Sequence, residues 1–313
     1  MTKCGVLMDP IENIHPEKDT TLAILLSAQE RGWKNYVILP ENIWLQDGIA
    51  WGRIQSVAVF DNADHWFELS ELEEQPLVDL DVLLMRKDPP FNMHYVYLTY
   101  LLEQAESQGL LVVNKPASLR DANEKLFSAW FPQCCPKTLV TSQSDLILDF
   151  IDSVETAVIK PLDSMGGNSV FKLSLKDSNH RSIIEMMTRQ NSQTVIVQQF
   201  ISEIAQGDKR ILMIDGEPIP YALARVPAKN DFRGNLAAGA VGKGCELTSR
   251  DKWICEQVGP VLREKGLLFA GLDIIGDYLT EINVTSPTCA RELNQLFELD
   301  IASDFLDAIE AKL

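Results

Sequence analysis

No stretch of this chain approaches the ~20 consecutive apolar residues that a membrane span needs. The opening MTKCGVLMDP meets an acid almost at once and has no secretory apolar core, so no membrane partner and a cytoplasmic location are expected. Basic residues are scarce, 28 Lys and Arg against 45 Asp and Glu, for a net charge of −17. That balance argues against nucleic acid as a partner and requires any anionic ligand to be held by local basic clusters. None of the six cysteines, Cys4, Cys134, Cys135, Cys245, Cys255 and Cys289, forms a C-x-x-C pair, and a cytosolic chain keeps them reduced. The adjacent Cys134-Cys135 read as two packed thiols. The four histidines all lie away from the acid-rich stretch described below, which disfavours a histidine base or a zinc site. No G-x-G-x-x-G follows the first strand and no G-K-[ST] follows the glycine turn, so neither a dinucleotide fingerprint nor a Walker A loop is present.

What is present is a globular composition, 46% hydrophobic and 23% charged over 313 residues, long enough for two or three domains. Up to about residue 120, strands and helices alternate. Cys4 to Met8, Tyr36 to Leu39, Asp81 to Met85 and Leu110 to Val113 are apolar runs. Between them, Thr20 to Arg31 stops at Gly32 and Tyr95 to Gln108 stops at Gly109, the pattern of helices ended by a glycine. This alternation predicts an open, mostly parallel sheet with helices on its faces, in which ligands gather beyond the carboxyl ends of the strands. Arg86 sits at such an end, before Pro89-Pro90; a structural salt bridge is its plain alternative. Asp121 and Glu124 have capping-box spacing, predicting a helix over Ala122 to Phe131 with Lys125 in its first turn.

Further on, the strand Thr156 to Pro161 carries Lys160 at its end and runs into a turn with Gly166-Gly167. Backbone N–H groups of such a turn can cover phosphates. Thr194 to Ile201 is an apolar strand suited to a linker between subdomains. Asp208-Lys209-Arg210 precedes a strand at Ile211 to Ile214, and Tyr221 to Arg225 returns beside it. Pro227 to Gly244 is rich in glycine and alanine, without periodicity, and reads as a lid.

Leu272 to Thr288, LDIIGDYLTEINVTSPT, reads as a hairpin with carboxylates inside it. Glu281 and Asn283, two apart on a strand, share a face opposite Ile282. A two-residue Gly276-Asp277 loop sets Asp273 opposite Thr280, whereas a three-residue loop sets it opposite Glu281. In the second register a divalent cation would neutralise the facing carboxylates, and oxygen ligands suit Mg²⁺ or Mn²⁺. A surface hairpin with scattered acids is the plain alternative.

The order of these features resembles the ATP-grasp superfamily. MDPI (Met8 to Ile11), MRKDPPF (Met85 to Phe91), NEKLF (Asn123 to Phe127), RGNLAAG (Arg233 to Gly239) and TEINVTSPT (Thr280 to Thr288) resemble the bacterial glutathione synthetases end to end. That resemblance implies an N-terminal open, mostly parallel α/β domain (residues 1–121) and a two-subdomain ATP-grasp module of α+β type. The module would divide into a lid subdomain (122–200) and a catalytic subdomain (201–313). It implies a ligase in which ATP phosphorylates the cysteinyl carboxylate of gamma-glutamylcysteine and the amine of glycine displaces phosphate, in a protein that is a homo-oligomer. By position, Lys125 and Lys160 would hold the phosphates, Gly166 and Gly167 would close over them, and Gln198, Gln199, Phe200 and Ile201 would meet adenine, with Asp208 near the ribose or base. Asp273, Glu281 and Asn283 would hold Mg²⁺ (or Mn²⁺). Arg210, Arg225 and the lid's Arg233 would act in catalysis, and Arg86, Asn283, Ser286 and Thr288 would bind the dipeptide. One departure is visible: Ala240-Val241 follow Gly239 where the family usually has a second glycine and an arginine, implying a stiffer lid short of one cation. Another ATP-grasp amino-acid or peptide ligase and a non-catalytic ATP-binding regulator are the alternatives. MRKDPPF, outside the nucleotide module, argues against the first, and the ligand set with its paired arginines against the second.

Overall fold

The computed structural model describes residues 1–164, 166–229, 231–234 and 239–313. Its first sheet is built from β1 (Lys3–Leu7), β2 (Lys34–Ile38), β3 (Ile43–Gln46), β4 (Ile49–Val59), β5 (Phe67–Leu69), β6 (Glu73–Pro76), β7 (Val82–Met85) and β8 (Leu111–Val113). The centre, β2-β1-β7-β8, is parallel. β1 and β7 are buried along almost their whole length, as strands covered by helices on both faces must be. Two helices serve this sheet, α1 (Thr20–Glu30) and α2 (Met93–Ser107). Each is capped by a side chain that accepts from the helix's free N–H groups, Asp19 from Leu22 and Asn92 from Tyr95. The sequence reading did not anticipate the antiparallel extension, in which β4 joins β2 and carries β3, β5 and β6.

α3 (Pro116–Asp121) leads out of this sheet. The helix expected over 122–131 is not formed. Asp121 is the last residue of α3, and only a 3-10 segment, Leu126–Trp130, follows. Glu124 caps nothing, because its carboxylate is drawn to the backbone of Val284 and Thr285 instead.

The second sheet is antiparallel, formed by β9 (Thr138–Thr141), β10 (Ala157–Pro161), β11 (Phe171–Leu173) and β12 (Val195–Gln199), in the order β11-β10-β12-β9. Two helices, α4 (Ser144–Val154) and α5 (His180–Met187), cover one face, where Ile147, Ile151, Ile159, Ile184 and Val197 form a core. Period-two alternation sends Val158, Lys160 and Gln198 to the other face, and that face lines a cavity.

The third sheet is also antiparallel. It runs β16 (Val241–Glu246), β15 (Tyr221–Val226), β13 (Asp208–Ile214), β17 (Phe269–Ile275), β18 (Tyr278–Asn283), with the short β14 (Glu217–Pro218) paired to β13. α6 (Ser249–Glu264), opened by a Thr248–Asp251 capping box, α7 (Ala290–Phe297) and α8 (Ile301–Glu310) complete the chain. β13 takes in Asp208 and Arg210, which the sequence placed before the strand, and its register sets Asp208 opposite Arg225 and Arg210 opposite Asp273. β16 begins at Val241, paired with Val226. The connection between β15 and β16 is therefore shorter than the Pro227 to Gly244 lid read from composition, and Asn230 and residues 235–238 of it lie outside the described residues.

The central hairpin follows neither register in pure form. Ile275 pairs with Tyr278 and Ile274 with Leu279, which is the two-residue turn. Yet Asp273 pairs with Glu281, leaving Thr280 as an extra residue. Thr280 is thus a β-bulge, and its hydroxyl donates to the Asp273 carbonyl at 3.1 Å. The core explains the bulge. Leu279 and Ile282, three apart, are both fully buried, and strict alternation would force one of them out, at about 1.5–3 kcal/mol for a side chain of that size.

Candidate active site

A cavity of about 360 Å³ opens where the second and third sheets face each other. All but one of the residues assigned by position line it. Lys160 and Gln198 come from the second sheet, continued by Gln199, Phe200 and Ile201 and overhung by Gly166 and Gly167. Asp208, Arg210, Arg225, Asp273, Glu281 and Asn283 form the opposite wall, Ser286 and Thr288 follow from the segment after β18, and Lys125 and Arg233 reach in from two further segments.

Its polar part is a lattice of ion pairs. Arg210 donates to Asp273 twice, Nε to Oδ1 at 2.5 Å and an Nη to Oδ2 at 2.9 Å. Arg225 reaches both Asp208 Oδ2 (2.5 Å) and Asp273 Oδ2 (2.9 Å). Lys125 Nζ lies 3.2 Å from Glu281 Oε1 and donates to the Ser164 carbonyl. All of these groups are buried or half-buried, where unpaired charge is costly. Burial pushes both aspartates upward, but the flanking Arg210 and Arg225 hold Asp273 well below the usual carboxylate range. Asp208 has less compensation and rises to about 6. Burial, with Lys125 nearby, lowers the Lys160 ammonium against the pull of Glu281. Gly271 is required for this packing. A Cβ there would lie 2.8 Å from Arg210 Cδ, so a side chain would push the guanidinium off Asp273.

Asp273, Glu281 and Asn283 face the cavity, and the Asn283 amide donates to the Gly271 carbonyl at 3.3 Å, which orients it. Among the described residues no group of three or more His, Cys, Asp and Glu side chains is placed to hold a metal. This donor set, two carboxylates and one amide oxygen, matches a hard divalent cation that keeps waters or shares phosphate oxygens. The bulge gives the hairpin the Asp273–Glu281 opposition for which the sequence required a three-residue loop.

The other end of the cavity is apolar. Val158, Val170, Ile201 and Ile275 line it with Phe200 and Phe232. The two phenylalanine rings meet edge-on at 6.4 Å, and Lys172 Nζ lies 3.8 Å above Phe200. Phe232 and Arg233 belong to the connection between β15 and β16. Arg233 pairs with Asp231 at 2.7 Å and approaches the Gly167 carbonyl at 3.5 Å, so the two covering segments touch. Gly234 packs directly on the site, since a Cβ there would come within 2.5 Å of Asp208 Cβ.

Arg86 is the residue the structure does not bring to the cavity. Its side chain is buried against Phe269, with Nε donating to Thr21 Oγ1 (3.1 Å) and an Nη to the Pro287 carbonyl (2.9 Å). In this structure it therefore grips the backbone between Ser286 and Thr288, and among the described residues no salt bridge occupies it. Its neighbours Asp88 and Pro89 do line the cavity, as do Glu124, Phe232 and Thr285. None of these five was singled out as a site residue from sequence, although Glu124 adjoins Lys125 and Phe232 adjoins Arg233, and adjacency to a chosen residue was the signal available.

The chain matches the models of the prokaryotic glutathione synthetase N-terminal domain over residues 2–120 and of the prokaryotic glutathione synthetase ATP-grasp domain over residues 124–298. Among solved structures it resembles D-cycloserine synthetase DcsG (TM-score 0.66, 14% identity, 99% of both chains). It also resembles D-alanine–D-alanine ligase from Bacillus anthracis (TM-score 0.60, 14% identity, 99% of this chain and 97% of the other). The fold is that of the ATP-grasp ligases. Curated relatives narrow this further. The glutathione synthetase of Coxiella burnetii is 61% identical over 310 residues (99% of this chain, 97% of the relative), and that of Pseudomonas aeruginosa is 53% identical over 311 (99% and 98%). The chain belongs to the prokaryotic glutathione synthetase family.

Proposed function

We propose that this chain is an ATP-dependent ligase that joins gamma-glutamylcysteine to glycine, giving glutathione, ADP and phosphate. The observation that carries the reading is that one cavity gathers the two lysines, the paired arginines, the opposed carboxylates and the Ser286–Thr288 segment. Phosphoryl transfer needs alignment and charge neutralisation more than a special nucleophile, and this wall supplies them. Lys125 and Lys160 hold the nucleotide phosphates under Gly166 and Gly167, while adenine takes the apolar end between Gln198–Ile201 and Phe232. Asp208 faces the nucleotide, with its buried Oδ1 lacking a partner among the described residues. Asp273, Glu281 and Asn283 would hold Mg²⁺ (or Mn²⁺), whose charge, when bound, offsets that of the phosphates.

Arg210 and Arg225 neutralise Asp273 in the free chain and lie where charge develops during transfer of the γ-phosphoryl group to the cysteinyl carboxylate. Glycine's free amine then attacks the acyl carbon, the carbon–oxygen bond to phosphate breaks, and the amine proton leaves with the departing groups. Arg233 and Gly234 close the site against water, which would waste the acyl phosphate. Ser286, Thr288 and Asn283 hold the dipeptide, and Arg86 acts on it through Pro287. We also propose the division into units at 1–121, 122–200 and 201–313, a cytoplasmic location and a homo-oligomeric state. Among the described residues, no helix is long and apolar enough to cross a membrane.

The test is ADP release and glutathione formation with gamma-glutamylcysteine and glycine, each alone and together. Full ADP release should require both. Equal turnover with a different acceptor amine would favour another ATP-grasp ligase, and ATP binding without ADP release would favour a regulator.

A further inference from the structure

The segment between β18 and α7 is held by donors and acceptors from outside its own sheet. Asn114 donates to the Val284 carbonyl at 2.8 Å and Arg86 to that of Pro287 at 2.9 Å. The strongest hold is Glu124. Its Oε1 accepts from the Val284 N–H (2.8 Å), the Thr285 N–H (2.9 Å) and the Thr285 hydroxyl (2.8 Å), while its own carbonyl accepts from Ile282 N–H at 2.9 Å. Three hydrogen bonds converging on one oxygen fix both its position and its direction. Glu124 also lines the cavity and directly precedes Lys125.

We propose that Glu124 is the positioning residue for the peptide substrate: it sets the backbone that presents Ser286 and Thr288 and locks it in register with Lys125. This rests on the reading of Ser286 and Thr288 as dipeptide-binding groups. The carboxylate is desolvated and lies near Glu281, and both effects raise its pKa against the three donors. A carboxyl oxygen whose bonds are made to backbone N–H groups and a hydroxyl is suited to placing a loop. A neutral oxygen of the same shape can do the same.

The experiment is steady-state kinetics on E124A, E124Q and T285V, with S286A and T288V alongside, and ADP affinity measured directly as a check of folding. E124A should raise the KM for gamma-glutamylcysteine about tenfold or more, while KM for ATP and affinity for ADP stay within about threefold. E124Q, which keeps an acceptor oxygen, should rescue the dipeptide KM to within about threefold of the parent. T285V, which removes one of three bonds, should raise it by about two- to fivefold, and it carries the test if E124A does not fold. Equal defects in E124A and E124Q would show that the negative charge itself is needed and would overturn the proposal. So would an unchanged dipeptide KM in E124A or T285V while S286A and T288V raise it. If S286A and T288V leave the dipeptide KM unmoved, the failure lies in the assignment of the segment to the peptide.

Discussion

Asp208 and Asp273 share one guanidinium, that of Arg225, and titrate in opposite directions. Asp273 also holds Arg210 and is kept well below its ordinary value of 3.8, whereas burial lifts Asp208 to about 6. An acid whose folded value is raised takes up a proton in the folded state first, so Asp208 adds stability as pH falls from about 6 toward 4. An acid whose folded value is depressed contributes stability above its unfolded value, lost as pH falls through the folded one. Urea midpoints at pH 7.5, 4 and 2.5 should therefore show a gain on the first step and a loss on the second. D208N should abolish the gain, and D273N should flatten the loss. A D208N profile parallel to the parent's would refute the assignment.

The two carboxylates that face each other on the hairpin should differ sharply in what their removal does. Glu281 is partly exposed and pairs with Lys125, which keeps a second partner in the Ser164 carbonyl. E281Q should abolish ligation by two or more orders of magnitude while leaving the urea midpoint close to the parent's. Asp273 is buried between two buried arginines, and breaking such a pair on one side costs about 3–5 kcal/mol. D273N should therefore be both inactive and strongly destabilised. Near-normal turnover of E281Q in Mg²⁺ would remove the hairpin from the metal site.

Arg86→Lys keeps a charge and gives up the planar fork that reaches Thr21 and Pro287 together. We expect a dipeptide KM raised about tenfold, about 1.4 kcal/mol, and a loss of stability on the order of 1–2 kcal/mol from an imperfectly satisfied buried site. The KM for ATP should change by less than about threefold. Equal changes in both KM values would make Arg86 a general structural residue.

Trypsin can report on the covering segment. Lys229 and Arg233 lie outside strands, whereas Lys243 sits within β16 paired to Ala224. Cleavage of the free protein should fall at 229 and 233 well before 243. ATP with gamma-glutamylcysteine should suppress the first two more than ATP alone. Equal rates at all three sites, with or without ligands, would contradict closure.

Gly271→Ala places a Cβ 2.8 Å from Arg210 Cδ, closer than van der Waals contact allows. Overpacking at such a point typically costs about 1–3 kcal/mol, and the displaced guanidinium should take turnover with it. Full activity in this variant would show that the Arg210–Asp273 pair is dispensable.

Much of this site was legible in sequence because its chemistry sits at the ends of apolar runs. Lys160 is the penultimate residue of β10, Asp208 opens β13, and Glu281 and Asn283 alternate with a buried Ile282. What was hidden depended on partners far along the chain. The Asp121–Glu124 spacing looked like a cap, but Glu124 is claimed by Val284 and Thr285, about 160 residues away. Arg86 was correctly placed at a strand end, yet its direction is set by Pro287 and Phe269. The antiparallel β3–β6 extension was missed although β4 alternates, because its partners β3, β5 and β6 are only three or four residues long and too short to show a period. The hairpin register escaped because turn length alone cannot reveal a bulge that serves the core on one face and the cavity on the other.

That bulge makes the length of the hairpin unusually hard to change. Turns at the surface ordinarily accept a residue more or less at little thermodynamic expense. Between Asp273 and Glu281 they cannot do so freely. With the outer pairs kept, one residue added or removed within the ladder, outside the Gly276-Asp277 loop, must turn Leu279 toward solvent, carry Glu281 out of line with Asp273, or abolish the bulge that reconciles the two. Substitution of the exposed Asp277 can be absorbed, whereas Gly276 holds a positive φ with Glu203 close by, and a residue added to or removed from the ladder would disturb the packing and the Asp273–Glu281 opposition together.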